Sequence, residues 1–566
     1  MTPATIGEGL RTYRPASLAS WRSGISGRSP PPLPSPAVHN WNLGVLLESV
    51  VDVVSEREAI VTPERRLSYR DLDERSNRLA HVLETLGVGP GDHVALVLRN
   101  GNEYLEAMIA AFKVRAVPVN VNTRYTTDEL AYLLGDSRPV VVVVEPDLRR
   151  QVEAAVSGHD ASPTVIERGE DYEDRLARAA DHRPTVERSG DDRYVIYTGG
   201  TTGLPKGVLW RHEDLLFGAL GGGNPGGDPV QSPDELVSIA KGGHTRCLPA
   251  SPFTHGTAHW TALSTLLRGG TVIVDTGEHF DAERLWSLAE SERAGILVIV
   301  GDAFARPLAD ALAAEPDRWD LTELVVVLSG GAVLSPTVRT ELLEHLPWAV
   351  VVDGYGTSET GGQGQMPVFA GQVAEQATRF HVDEDTAVLD DAGRPAPPGS
   401  GLVGRLARKG HIPLGYLGDR DATGTTFVTL HGHRWAVPGD LARVEADGSI
   451  TLLGRGSQSI NSGGEKVFPD EVEKVLKGHP GVFDAVVIGV PHPRFGEQVA
   501  AVIQARDGVD LALTSVEAHV RSHLADFKVP RRMVVVDELV RRPTGKPDLS
   551  WARDRINAST DEVDHR

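Results

Sequence analysis

Tyr197-Thr-Gly-Gly-Thr-Thr-Gly-Leu-Pro-Lys-Gly207 packs four glycines, three threonines and a lysine into eleven residues. Glycine lets the backbone turn its N–H groups toward a ligand without a Cβ in the way. Threonine hydroxyls and a lysine ammonium add donors for a polyanion. Such a loop cradles phosphates. It is not the Walker pattern, which needs a Gly-Lys pair followed by Ser or Thr; here Pro205 precedes Lys206 and Gly207 follows it. A flexible linker would share the glycines. However, Asp192-Arg-Tyr-Val-Ile-Tyr197 alternates as a strand and runs straight into the loop, placing it at a strand's carboxyl end. Ligands of open α/β sheets collect at that edge. Lysine is also scarce, nine of 57 basic residues, so its presence in the loop is pointed.

Outward from the loop, strands alternate with helices. Ser68-Tyr-Arg-Asp71 reads as a capping box opening a helix with Leu72, Leu79, Val82, Leu83 and Leu86 on one face. Residues 93–98 predict a strand, 103–114 a helix and 117–121 and 140–144 further strands. Residues 271–274, 296–300, 324–328 and 349–352 continue the alternation. The fold class is therefore α/β, a large amino-terminal domain of βα-built sheets. After about residue 400 short strands appear, with Asp447-Gly448 marking a hairpin turn. Residues 455–566 read as a small α+β domain, with a helix beginning at Pro469 and Asp470 and Glu471 in its first turn. Domains are predicted at 41–454 and 455–566, preceded by a Pro/Ser/Gly-rich lead-in over residues 1–40.

At 566 residues the chain exceeds one core. A formal charge of −21 disfavours nucleic acid as a partner, though a local loop can still oppose the global sign. No apolar run approaches the roughly 20 residues of a membrane span, and the first ten residues carry no secretory apolar core. The single cysteine, Cys247, excludes an intrachain disulfide and fits a cytoplasmic location. The residues leave monomer and homodimer open.

Thr198-Gly199-Gly200-Thr201-Thr202-Gly203-Leu-Pro-Lys206-Gly207 resembles the signature loop of the adenylate-forming superfamily, which holds acyl-CoA synthetases, peptide-synthetase adenylation domains and beetle luciferases. Members usually carry Ser where Gly199 stands. The resemblance runs from about residue 41 to about 550 and implies an adenylate-forming fold with a mobile carboxyl-terminal domain. Asp353-Gly354-Tyr355-Gly356-Thr357-Ser-Glu359-Thr resembles the family's ATP motif. That resemblance implies Tyr355 against adenine, Thr357 on the α-phosphate and Glu359, with Thr202, on Mg²⁺. An aromatic face suits a purine and a carboxylate suits a hard dication. Trp435-Ala-Val-Pro-Gly-Asp440 resembles the Gly-Asp motif that chelates ribose, with Arg455 as its companion.

Residues 453–467 resemble the interdomain segment, with the hinge on Ser457 where relatives carry Asp or Lys. Gly463 and Gly464 match the stretch passed by the pantetheine arm of coenzyme A, and Lys466 a position near its phosphates. Arg541-Arg-Pro-Thr-Gly-Lys546 resembles the motif of the catalytic lysine. An ammonium there offsets the repulsion between a carboxylate and ATP. His255 matches a position at the mouth of the acyl tunnel, and Gly256, Ala258, Gly330, Gly331, Ala332, Gly361 and Gly362 would leave room for a bulky acid. Gly331 is counted with the nucleotide contacts.

The implied activity is ATP-dependent ligation of a hydrophobic acid, a medium- or long-chain fatty acid or a steroid side-chain acid, to coenzyme A through acyl-AMP. An acyl-AMP ligase that loads a carrier protein, and a non-catalytic acyl-nucleotide sensor, are the competing readings.

Overall fold

A computed structural model describes residues 39–559 except 158–161, 199–204, 373–378, 456–459, 463–464, 493–495, 525 and 543–545. The predicted lead-in therefore lies almost wholly outside the described residues.

Valine-rich segments buried on both faces make parallel strands, because helices must cover each side of such a sheet. Val141–Val144 is buried throughout and pairs in parallel with His93–Val97 and Thr164–Glu167. His93–Val97 pairs on its other edge with Val117–Asn120. This sheet then reaches Arg193–Thr198, which the chain reverses against Lys206–Arg211 with Thr198 opposite Lys206. The two ends of the glycine-rich segment, Thr198 and Lys206, are thus paired neighbours at the carboxyl edge of a mostly parallel sheet. The helices covering it follow the sequence signals closely. Tyr69–Thr85 begins with the Ser68/Asp71 capping box, and Asn102–Lys113 follows the first strand.

A second sheet has a parallel block ordered Thr271–Ile273, Arg246–Pro249, Ile296–Ile299, Val326–Gly330 and Val350–Thr357. Two of these strands differ from expectation by more than one residue at an end. The strand expected at 324–328 is Val326–Gly330. The strand expected to stop at 352 runs on through Thr357, because Gly354, Tyr355, Gly356 and Thr357 pair with residues of Gly361–Phe369. The ATP-like motif is therefore the end of a strand and a tight turn, and no helix follows it. Beyond it the sheet is antiparallel and includes the predicted hairpin, Asp440–Val444 against Ile450–Arg455, with Gly448 at φ +85°.

The carboxyl-terminal part has its own sheet and core. Val482–His492 and Gly496–Ala505 form its long antiparallel pair, and Arg532–Val536 joins in parallel. Helix Pro469–Lys477 buries Val472 and Leu476 against them. Between this part and the helices Gly301–Ala314 and Pro336–His345 lies a charged contact. Lys477, 7 % exposed, reaches Asp302 at 3.5 Å and Asp484 at 3.1 Å. Arg541 closes on the other oxygen of Asp484 at 2.5 Å. Arg506 lies 3.8 Å from Asp310 and 3.7 Å from Glu341. No helix among the described residues is long and apolar enough to cross a membrane.

Candidate active site

Where the two sheets' carboxyl edges converge there is a cavity of about 1860 Å³. Of the sequence-predicted residues, Thr198, Lys206, His255, Gly331, Gly354, Tyr355, Gly356, Thr357, Glu359 and Lys546 all line it. Lys546 comes from the carboxyl-terminal part, nearly 190 residues after Glu359 in the chain, so the docking described above brings it to the same space.

The hairpin base is fixed from below. Asn120 accepts from the Tyr197 N–H at 2.7 Å and donates to the Tyr197 and Thr254 carbonyls. The Tyr197 hydroxyl donates to Asp136 at 2.5 Å. Lys206 is not a loose cation: its Nζ sits 2.9 Å from Asp419 and 5.3 Å from the centre of the Tyr416 ring. Tyr416 in turn donates to Glu359 at 2.9 Å. The sequence reading missed both partners. Gly415-Tyr-Leu-Gly-Asp419 carries a glycine–aromatic–acid signal, but nothing local says that it faces residues 57 and 213 positions away.

Glu359 is 9 % exposed and, among the described residues, pairs with no basic side chain. A nearly buried carboxylate facing a phosphate-sized space fits a divalent cation. The turn that carries it is held by Thr357 and Thr360: the Thr357 N–H donates to Thr360 Oγ1, and the Glu359 N–H to Thr357 Oγ1. Gly361 leaves this turn at φ +68° and passes so close to the Gly218 carbonyl that a Cβ would overlap its oxygen.

Asp353 does not line the cavity. It is 5 % exposed beneath the strand, and burial pushes its carboxyl up to about 7 against the pull of Arg339, with Asp302 adding to the rise. Lys474, on the docked helix, is brought down to about 8 by burial and by Arg339. Asp440 is also buried, one residue past the cavity-lining Pro438 and Gly439, and sits in register with Arg455 across the hairpin. Of the predicted small residues, Gly256, Gly330, Gly361 and Gly362 line the cavity and Ala258 and Ala332 do not. Gly199, Gly200, Thr201, Thr202, Gly203, Ser457, Gly463 and Gly464 lie outside the described residues. Lys466 is placed only by its backbone, in Glu465–Val467.

The cavity extends under helix Gly256–Leu267, whose N-cap is His255, and there mixes apolar side chains with hydroxyls of that helix. Trp260, Ile296, Val298, Phe304 and Leu328 line it together with Cys247, whose thiol burial pushes up to about 12. Cys247 therefore behaves as a small apolar group and not as a nucleophile.

A phosphate hairpin, a buried carboxylate beside it and a lysine delivered from a second unit define an adenylate-forming α/β enzyme with an apolar acid pocket. Comparison with known proteins agrees. Residues 47–417 match the model of the AMP-binding enzymes, and residues 471–546 that of the AMP-binding enzyme C-terminal domain. The chain is 43 % identical over 545 residues to 3-oxocholest-4-en-26-oate–CoA ligase of Rhodococcus rhodochrous, covering 92 % of this chain and 97 % of that one. It is 42 % identical over 531 residues to the medium/long-chain-fatty-acid–CoA/3-oxocholest-4-en-26-oate–CoA ligase of Mycobacterium tuberculosis, covering 91 % and 96 %. Among solved structures, ATP-bound MatB of Rhodopseudomonas palustris superposes with a TM-score of 0.78 at 28 % identity, over 91 % of this chain and 98 % of that one. The chain belongs to the AMP-binding enzyme family, and is an ATP-dependent acid–CoA ligase.

Proposed function

We propose that the acid is hydrophobic, a medium- or long-chain fatty acid or a steroid side-chain acid, and that it reacts in the cavity described above. The acid's carboxylate attacks the α-phosphorus of ATP and pyrophosphate leaves. The thiol of coenzyme A then attacks the acyl carbon and AMP leaves. The first step makes a good electrophile from a poor one.

The roles are those that the family resemblance implies. Thr198 and Lys206, at the two ends of the glycine-rich hairpin, steer the β- and γ-phosphates. Tyr355 lies against adenine, Thr357 meets the α-phosphate, and Asp440 with Arg455 holds the ribose. Glu359, with Thr202, would hold Mg²⁺, which when bound neutralises phosphate charge. Lys546 stabilises the charge that builds as two anions meet. His255 positions the acid at the tunnel mouth. The chain divides at 454/455, and rotation about Ser457 exchanges Lys546 for the face carrying Gly463, Gly464 and Lys466 before thiol attack. The cytoplasm is the proposed compartment of the reaction.

The observation that carries this reading is that Lys546 lines the same cavity as Lys206, Thr357 and Glu359. A panel of acids with ATP, Mg²⁺ and coenzyme A tests it by pyrophosphate release and thioester formation. Lys546→Ala should lower pyrophosphate release on the order of 10²–10³-fold while supplied acyl-AMP is still converted to thioester. Adenylate formation at the parental rate would refute the assignment.

A further inference from the structure

Helix Gly256–Leu267 runs the length of the apolar cavity. Thr257, Trp260, Thr261, Ser264, Thr265 and Arg268 all line it, a spacing that puts them on one helical face. The amino end of the helix abuts the reacting end: Thr257 lies against Gly331, whose Cβ would come within 3.2 Å of its hydroxyl. From His255 at the N-cap to Arg268 at the C-cap is thirteen residues, about 20 Å of helix. That span suits a long chain or a four-ring nucleus with its side chain.

Arg268 is out of keeping with such a wall. Its Nε is buried with no hydrogen-bond partner, and among the described residues no acid pairs with it. Two other basic groups on the wall are held by acids: Arg408 by Asp383, with the Gly362 carbonyl, and Lys206 by Asp419. Partial burial lowers the proton affinity of Arg268, the direction expected of a half-buried cation without a counter-charge. A methionine would fill this space without bringing a partly desolvated cation that lacks an acid partner.

The neighbouring hydroxyls do not supply the lost contact and sharpen the point. Thr261 donates to the Thr257 carbonyl, Thr265 to the Thr261 carbonyl and Ser264 to the Leu220 carbonyl. Their protons are committed, so they show a ligand only lone pairs. An acceptor oxygen at this depth would find its donor in Arg268.

We propose that Arg268 is a specificity-determining residue that donates to an acceptor oxygen at the far end of the acyl group, so that the preferred acids are oxygenated at the end remote from the carboxyl being activated. A ring ketone, a chain ketone or a second carboxylate supplies that oxygen. The inference rests on the acid–CoA ligase reading of the cavity and deepens it.

The test compares kcat/KM for hexadecanoate, a keto acid of the same length, hexadecanedioate, and a steroid acid with and without its ring ketone. The parental enzyme should favour each oxygenated acid over its plain counterpart by about 10-fold or more, the worth of one hydrogen bond from a charged donor. Arg268→Met should bring those ratios near unity and leave the plain acids within a few-fold, and Arg268→Lys should keep part of the preference. A ketone-only preference identifies a neutral acceptor, and a diacid preference a second carboxylate. Equal losses on every acid in Arg268→Met, or no preference in the parent, overturns the proposal.

Two further measurements separate this proposal from its premise and from a structural role. Dissociation constants of the same acids, taken by calorimetry without ATP, should show the same ratios. If no acid supports turnover the ligase reading fails, while the binding ratios still decide on Arg268. The unfolding midpoint of Arg268→Met should equal or exceed the parental one, since a cation held without an acid is removed; a fall marks Arg268 as structural and refutes the proposal.

Discussion

Replacing Asp353 by asparagine should stabilise the protein at neutral pH, by an amount that depends on pH in a defined way. The Asp353 carboxyl is raised from 3.8 to about 7 by burial, net of the attraction of Arg339. A folded-state value above the unfolded one means the native protein holds this proton more tightly than the unfolded chain does. Below pH 4 both states are protonated and the site costs nothing. As pH rises from about 4 to about 7 the unfolded chain releases the proton first, and stability falls along that interval. Above 7 the loss is complete. The difference between 3.8 and about 7 corresponds to about 4 kcal/mol at roughly 1.36 kcal/mol per pKa unit. Asparagine has the shape of the protonated acid and carries no charge, so the variant lacks this slope. Thermal unfolding of both proteins from about pH 4.5 to about pH 7.5 should show midpoints that nearly coincide at the acid end and separate steadily toward neutrality. At the upper end of that range the Asp353→Asn protein should be the more stable by a few degrees. Arg339 and Lys474, the latter near 8, stay charged over most of this window. A difference that does not vary with pH, or a variant less stable than the parent at neutral pH, would refute the account of the buried carboxyl.

Three other substitutions probe separate contacts. Glu359→Gln keeps the acceptor for Tyr416 but removes the charge, and should raise the Mg²⁺ concentration needed for half-maximal pyrophosphate release about 10-fold or more; an unchanged Mg²⁺ requirement would remove Glu359 from the metal's neighbourhood. Lys477→Met leaves Asp302 and Asp484 buried without their shared cation. It should cost about 3–5 kcal/mol in urea unfolding, and a parental transition would show that the contact adds nothing to stability. Gly361→Ala combines a left-handed backbone with a clash on the Gly218 carbonyl, so a loss of about 1–3 kcal/mol is expected by thermal unfolding, and an unaltered midpoint would contradict the packing of this turn.

Local patterns were legible wherever the signal and its structural consequence lie within a few residues. The valine run read at 140–144, the Ser68/Asp71 box and the Asp447-Gly448 turn each specify geometry through their own backbone or side chains; the first forms Val141–Val144, and the other two are found as read. The end of the Val350–Thr357 strand was not legible, because Gly354-Tyr-Gly looks like a loop until Gly361–Phe369 pairs with it. The partners of the site were hidden for a related reason. Tyr416 on Glu359, Asp419 on Lys206 and Lys477 on Asp302 are contacts between distant segments, and their residue types are also ordinary for exposed turns. Arg268 sits at a helix C-cap, a favourable and common placement for a cation that carries no local signal of the cavity it lines.

The docking of Lys477 bears directly on the reaction space, and Asp302 explains why. One oxygen of Asp302 accepts from the Ser335 N–H at 2.7 Å, and its backbone N–H donates to the Val333 carbonyl at 3.0 Å. The preceding Gly301 donates to Ser329. These bonds fasten the connection from Val326–Gly330 to helix Pro336–His345, the same connection that presents Gly330 and Gly331 to the cavity. The other oxygen of Asp302 faces Lys477. One buried carboxylate therefore ties the cavity-lining loop on one side and the docked unit that carries Lys546 on the other. The loop that lines the cavity and the unit that carries Lys546 are thus fastened to a common group.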